Sequence, residues 1–150
     1  MPRIFSALLL WLLVSAPAWA DALEIRDAWV REGPPGMQML AGFMTLYNPG
    51  SKTHILARVD SPDFQAVEMH ETRIDAEGVA HMLPLQQVRI PAGGTVRFAP
   101  GGKHLMLIGP RRPLRAGEKV VLRLHLDNGL CLRVPFPVRR TPPDGSDPDT

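Results

Sequence analysis

The sequence has little cysteine and few aromatic residues. Of its 150 residues, one is a cysteine and 6% are Phe, Trp or Tyr. A single cysteine excludes any disulfide within the chain, so a hydrophobic core must supply the stability of the fold. Because Cys131 lies in an apolar, strand-like stretch, we expect it to be a small buried side chain.

A long hydrophobic run that could cross a membrane is also missing. The longest apolar run, residues 4–14, is too short to span a bilayer comfortably. It follows a single early arginine and is followed by Ala-Trp-Ala at residues 18–20, the small-x-small pattern of a cleavage site. We therefore predict that residues 1–20 are a signal peptide, cut before Asp21, and that the mature protein is periplasmic.

A surplus of positive charge is absent from the mature chain. Removing Arg3 leaves 16 Lys and Arg against 15 Asp and Glu, and these residues are scattered along the sequence. Nucleic-acid binding needs a concentrated basic face, which the sequence does not provide. We also find no nucleophile in the sequence context of a hydrolase, so we do not expect an enzyme.

Helical periodicity is missing as well, and short alternating runs take its place. The clearest are residues 120–126 and 130–138, joined by the hairpin signal Asp-Asn-Gly. Turn signals recur every eight to twelve residues and predict seven to nine strands in an antiparallel β-sandwich or small barrel. We predict one domain over residues 21–140 and a disordered, polar tail over residues 141–150.

Four histidine and methionine residues carry the main chemical signal. His104 and Met106 are two apart in an apolar run, so on a strand both side chains point to one face. His70 and Met82 bracket the turn-like stretch DAEG, and a hairpin there would bring them together. Taken singly, each Met is more often core filler and each His a polar residue on a wet face.

Together, these side chains form a donor set that is soft and uncharged. Thioethers and imidazoles without a thiolate favour Cu(I), and no acidic cluster offers a site for Ca²⁺ or Mg²⁺. A blue-copper electron carrier needs a cysteine ligand with His and Met nearby in sequence, which Cys131 lacks. A protein-interaction module without metal remains the alternative.

The pattern His70, Met82, His104 and Met106, with 21 residues between Met82 and His104, resembles the signature of the periplasmic CuA copper chaperones, the PCuAC family. Several surrounding segments match that family too. They are residues 28–31 (AWVR), 41–48 (AGFMTLYN), 67–72 (VEMHET), 90–94 (IPAGG) and 100–106 (PGGKHLM).

The resemblance implies a cupredoxin-like β-sandwich that binds one Cu(I) at its surface through His70, Met82, His104 and Met106. It further implies delivery of copper to the CuA centre of cytochrome c oxidase subunit II, alongside a Sco-type thiol protein. A general periplasmic carrier for copper homeostasis is the alternative within the same chemistry.

The chain departs from the family pattern in one spacing. Eleven residues separate His70 from Met82, where the family usually has ten, and His81 stands next to Met82. The extra residue fits in the turn if Met82 is the ligand, or it lets His81 compete as a donor. Met37 and Met39 are further soft donors that could assist, although loop filler is the simpler interpretation.

The two acidic neighbours of His70 offer a supporting role. Glu68 and Glu71 could orient its ring from outside the metal's own ligands, with exposed surface charge as the alternative.

Overall fold

The computed structural model describes residues 22–145, which form ten β-strands. The strands are β1 (Glu24–Arg31), β2 (Met39–Tyr47), β3 (His54–Asp60), β4 (Phe64–Ile74), β5 (Ala80–Pro84), β6 (Val88–Ile90), β7 (Thr95–Phe98), β8 (Lys103–Pro110), β9 (Lys119–Leu126) and β10 (Cys131–Arg139). This part of the chain contains no helix that is long and apolar enough to cross a membrane.

The strands follow the order β5-β4-β8-β7-β2-β1-β10-β9-β3-β6, and β8 also pairs with β2. Most neighbours are antiparallel, but β1–β10 and β7–β8 are parallel. Strand β10 pairs with β9 along most of its length and with β1 only at its end, where Val138 lies opposite Val30. It thereby joins the two halves of the sheet into a sandwich.

The alternating sequence pattern fills the space between the two halves. In β9, Val120, Leu122 and Leu124 are fully buried, while the residues between them face outward. In β8, Leu105 and Leu107 are fully buried in the same way. Both sets belong to one hydrophobic cluster, so a single core holds the strands that carry the His and Met residues.

The all-β, cupredoxin-like sandwich predicted from the sequence is confirmed, with ten strands in place of seven to nine. The prediction that Cys131 is buried is wrong, because the residue is exposed. In β10 the inward positions are those of Leu132, Val134 and Phe136, and Cys131 occupies the alternate, outward face.

The segment after β10 begins with a turn placed against the sandwich. Pro142 is buried, and Arg97 donates a hydrogen bond of 3.1 Å to the carboxylate of Asp144. The rest of the predicted tail, residues 146–150, and the predicted signal peptide, residues 1–20, lie outside the described residues.

A carboxylate at the end of β3 links that strand to β9. Asp60 accepts hydrogen bonds from Arg123 and from His125, whose Nε2 lies 2.9 Å from Asp60 Oδ2, and Arg58 also contacts it. Burial by itself raises the pKa of Asp60, but the hydrogen bonds from Arg123, Arg58 and His125 outweigh burial and hold that pKa below its usual value.

We expect Asp60→Asn to lower the free energy of unfolding at pH 7 and to flatten its dependence on acid. A lowered pKa in the folded state stabilises the protein above the unfolded pKa, and that contribution is lost as the pH falls from about 5 through the folded pKa. Denaturant unfolding at a series of pH values measures this, with the exposed Glu24→Gln as the control. Identical pH profiles for Asp60→Asn and the wild type would contradict the role of Asp60.

Candidate metal centre

Strands β5, β4 and β8 lie side by side at one edge of the sheet and carry all four predicted ligands. In the antiparallel pair β4–β8, His70 lies directly opposite His104. Residues in such a pair share one face of the sheet. The two imidazole rings have centroids 5.9 Å apart and are tilted by 42°. Two histidines 34 positions apart in the sequence are thus neighbours in the fold.

Met106 shares the face of these two rings because it follows His104 by two residues on β8. The intervening Leu105 and the following Leu107 point into the core, as the alternation predicted. Glu68 lies opposite Met106 across the β4–β8 pair, and Ala41 lies opposite it on β2. The side chain of Met106 is partly exposed, so its sulfur can be reached from solvent.

Met82 is on the same face but lies on the edge strand, with β4 between it and His104. The β4–β5 hairpin predicted from the sequence is present, and it puts Pro84 opposite His70 and Met82 opposite Thr72. Met82 is therefore displaced toward the hairpin turn, whereas Met106 is displaced in the other direction. Met82 is 53% exposed, and β5 is exposed along its whole length.

The hairpin turn is built by local chemistry. The side chain of Asp75 accepts hydrogen bonds from the backbone N–H of Glu77 and Val79, at 3.0 and 2.8 Å. Gly78 has a φ of 82°, a conformation that favours glycine. These contacts fix the register of the hairpin and hence the face that each residue of β5 presents.

His81 does not join the other histidines. It lies opposite Arg73 and points to the face away from Met82, because neighbouring residues on a strand alternate. Its Nε2 is 2.6 Å from Asp75 Oδ2. This contact, with hydrogen bonds from backbone N–H groups, holds the pKa of Asp75 below its usual value. In this register, Met82 rather than His81 faces the two rings.

Each ring of the pair has one nitrogen in a hydrogen bond. His70 Nε2 is 2.8 Å from Glu68 Oε2, and His104 Nδ1 is 3.1 Å from the carbonyl oxygen of Gly102. The side chain of His70 is only 12% exposed. Its Nδ1 is buried and has no hydrogen-bond partner among residues 22–145. A buried, unpartnered nitrogen beside a second imidazole makes Nδ1 a candidate donor to a metal.

A salt bridge fastens β4 to β8 next to the two rings. Glu71 lies opposite Lys103, and Lys103 Nζ donates to Glu71 Oε1 over 2.9 Å. Hydrogen bonds from Lys103 and Arg73 hold the pKa of Glu71 below its usual value, so the carboxylate stays charged. Of the two acidic neighbours considered from the sequence, Glu68 contacts the His70 ring, whereas Glu71 holds the strands together.

The side chains near the His70–His104 pair limit the kinds of metal ligand at this edge of the sheet. Within residues 22–145, no group of three or more His, Cys, Asp or Glu side chains is arranged to hold a metal ion. The thioethers of Met106 and Met82 are the soft side-chain donors that share the face of the His70–His104 pair. The hydrogen bond between His104 and the carbonyl of Gly102 has no sequence signal, because every residue has a backbone carbonyl.

Aromatic residues flank the same face of the sheet. Phe43 follows Ala41 by two residues on β2 and packs against Trp29 of β1, with ring centroids 5.0 Å apart. Both rings are almost fully buried, although they lie outside the main core cluster. They give the sheet a rigid surface beside the strand that carries Met106.

Solved structures share this architecture. The chain superposes on the "Copper-bound PCuAC domain from PmoF2" with a TM-score of 0.67 at 21% identity, covering 82% of this chain and 97% of that domain. It also matches the "Solution structure of CuI-DR1885" from Deinococcus radiodurans, with a TM-score of 0.65, 30% identity and 84% coverage of both chains. The fold is that of PCuAC domains, the class that the sequence resembles.

Sequence relatives define the family. The family model described as "Putative lipoprotein LpqE-like" matches residues 23–138. The "Putative lipoprotein Lxx21020" of Leifsonia xyli subsp. xyli (strain CTCB07) is 36% identical over 121 residues, which are 80% of this chain and 71% of that protein. The "Uncharacterized protein RP573" of Rickettsia prowazekii (strain Madrid E) is 30% identical over 89 residues, 59% of this chain and 49% of the relative. The chain belongs to the LpqE-like family.

Proposed function

We propose that this protein is a copper carrier of the periplasm that binds one Cu(I) through His70, His104, Met106 and Met82. The observation that carries the proposal is the direct pairing of His70 with His104, with Met106 on the same face two residues along β8. Two imidazoles and a thioether at one edge of a rigid sheet provide the soft, neutral donors that Cu(I) prefers.

The chemistry of the site favours the monovalent ion. Thioether sulfur has no proton to lose and no charge, so it stabilises Cu(I) better than the harder divalent ions. The exposed Cys131 lies on β10 and belongs to another part of the sheet. A site without a thiolate also suits an exported protein, because a thiol in an oxidising compartment is open to oxidation.

The comparisons support copper as the cargo. Two of the similar solved structures are described as copper-bound, one of them with Cu(I). The name of the Leifsonia relative, a putative lipoprotein, supports a location outside the cytoplasm. Together with the signal peptide predicted over residues 1–20, this name supports a periplasmic copper carrier.

Delivery requires that the ion can leave, and the placement of the donors provides a route. Met82 lies on the exposed edge strand β5, and Met106 is partly exposed, whereas the His70 side chain is mostly enclosed. An acceptor can replace the thioethers first and the imidazoles last. We propose that the acceptor is the CuA site of cytochrome c oxidase subunit II, with a Sco-type thiol protein as the partner in that assembly.

The double variant His104→Ala/Met106→Ala tests the site directly. It removes two donors from β8 but no core side chain, so we expect a folded protein that no longer binds one equivalent of Cu(I). Competition with bicinchoninate measures the bound copper, and circular dichroism checks the fold. Unchanged Cu(I) binding would refute the ligand assignment, and no Cu(I) binding by the wild type would favour a metal-free interaction module.

Single methionine variants test the geometry of the site. Because Met82 lies on the exposed edge strand β5, with β4 between it and His104, Met82→Ala should weaken Cu(I) binding less than Met106→Ala does. Met37→Ala is the matched control, since Met37 is a similarly exposed methionine of the loop before β2. A larger loss for Met82→Ala than for Met106→Ala, or an equal loss for Met37→Ala, would contradict this arrangement.

The acceptor is tested by transfer. The copper-loaded protein is mixed with the apo, soluble CuA domain of subunit II, and the two are separated and analysed for copper. We expect copper to move from the wild type to the acceptor, whereas the double variant His104→Ala/Met106→Ala, which no longer holds an equivalent of Cu(I), should deliver none. Retention of all copper by the carrier would exclude this acceptor and leave a general role in copper homeostasis.

A further inference from the structure

We infer that the two histidines bind copper through different ring nitrogens, Nδ1 of His70 and Nε2 of His104, and that Glu68 is the residue that positions His70 for this. The inference deepens the proposed function and rests on it. It assigns to Glu68 a role in setting the proton on His70, and thereby in choosing which atom faces the ion.

The contact with Glu68 determines which ring nitrogen of His70 carries the proton. An ionised carboxylate only accepts hydrogen bonds, so the 2.8 Å contact between Glu68 Oε2 and His70 Nε2 requires a hydrogen on Nε2. In a neutral imidazole, the other nitrogen then has the free lone pair. That nitrogen is Nδ1, which makes it the only ring atom of His70 able to bind a metal without breaking the contact with Glu68.

The surroundings of His70 leave Nδ1 without a partner. It is buried and has no hydrogen-bond partner within the described part of the chain. Buried polar atoms are rarely left unpaired, because desolvation without a partner costs free energy. A lone pair held in this state gains a partner when an ion binds, so Nδ1 is preorganised for coordination.

In His104 the proton is on the other ring nitrogen, Nδ1. A carbonyl oxygen also only accepts, so the 3.1 Å contact with Gly102 O requires a hydrogen on His104 Nδ1 and leaves the lone pair on Nε2. The carbonyl is itself fixed, because it also accepts the backbone N–H of Thr72 at 3.1 Å. Backbone geometry therefore determines the tautomer of His104, whereas a side chain determines that of His70.

The spacing of the rings agrees with one shared ion. With metal–nitrogen bonds of about 2 Å, two imidazoles on one ion have ring centroids up to about 6 Å apart. The observed separation is 5.9 Å, and the tilt of 42° means that the rings do not stack. Outer partners that fix a ligating imidazole in this way raise metal affinity by holding its orientation and its tautomer.

Nitrogen NMR on the ¹⁵N-labelled protein tests the donor atoms. In the metal-free protein, we expect a hydrogen on Nε2 of His70 and on Nδ1 of His104. On addition of Cu(I), the resonances of His70 Nδ1 and His104 Nε2 should shift, while the protonated nitrogens keep their hydrogens. A copper-dependent shift of His70 Nε2, with a hydrogen on Nδ1, would overturn the inference.

Variants of Glu68 test the positioning role. We expect Glu68→Ala to lower Cu(I) affinity by about 10–100-fold, the usual effect of losing such an outer partner, and to produce a mixture of His70 tautomers in the metal-free protein. Glu68→Gln keeps an oxygen that accepts from Nε2, so it should retain the Nε2–H tautomer and most of the affinity. Glu77→Ala removes the same charge from the turn of the same hairpin and should change neither.

The outcomes separate this inference from the proposed function. If the wild type binds no Cu(I), the proposed function fails. If the wild type binds Cu(I) but Glu68→Ala keeps both the affinity and the single His70 tautomer, only the role of Glu68 fails. Equal losses of affinity for Glu68→Ala and Glu77→Ala would mean that charge, rather than the contact with His70, is responsible.

Discussion

The pairing of β4 with β8 is the constraint on which the site depends. It sets His70 against His104, and the neighbouring pair Glu71–Lys103 fastens the same two strands. Because the other face of both strands is anchored in the core by Met69 and Leu105, the register cannot slip without exposing apolar surface. Hydrophobic burial on one face therefore fixes the positions of the polar donors on the other.

Much of this arrangement could be read from the sequence. The alternation in residues 104–108 fixes the common face of His104 and Met106, and the turn residues around Gly78 indicate the hairpin. The long-range pairing of β4 with β8 has no local signal. Only the resemblance to PCuAC proteins indicated that these two regions of the sequence meet. The fold and the family match confirm that resemblance.

The details that the sequence could not supply are those set by exact register and by backbone groups. Met82 had been expected next to His70, but the hairpin puts it opposite Thr72, two residues further toward the turn. The hydrogen bond from His104 to Gly102 involves a carbonyl that any residue would provide. Burial of Cys131 was misjudged because an apolar stretch does not reveal which of its two faces turns inward.

The length of the Asp75–Gly78 turn decides which kind of atom β5 presents. Adjacent positions on a strand face opposite ways, and here the adjacent residues are an imidazole, His81, and a thioether, Met82. Insertion or deletion of one residue in the turn would exchange them, replacing sulfur by nitrogen at the edge of the sheet. Loop length therefore selects between a soft thioether and a harder imidazole at this edge without any substitution in β4, β5 or β8.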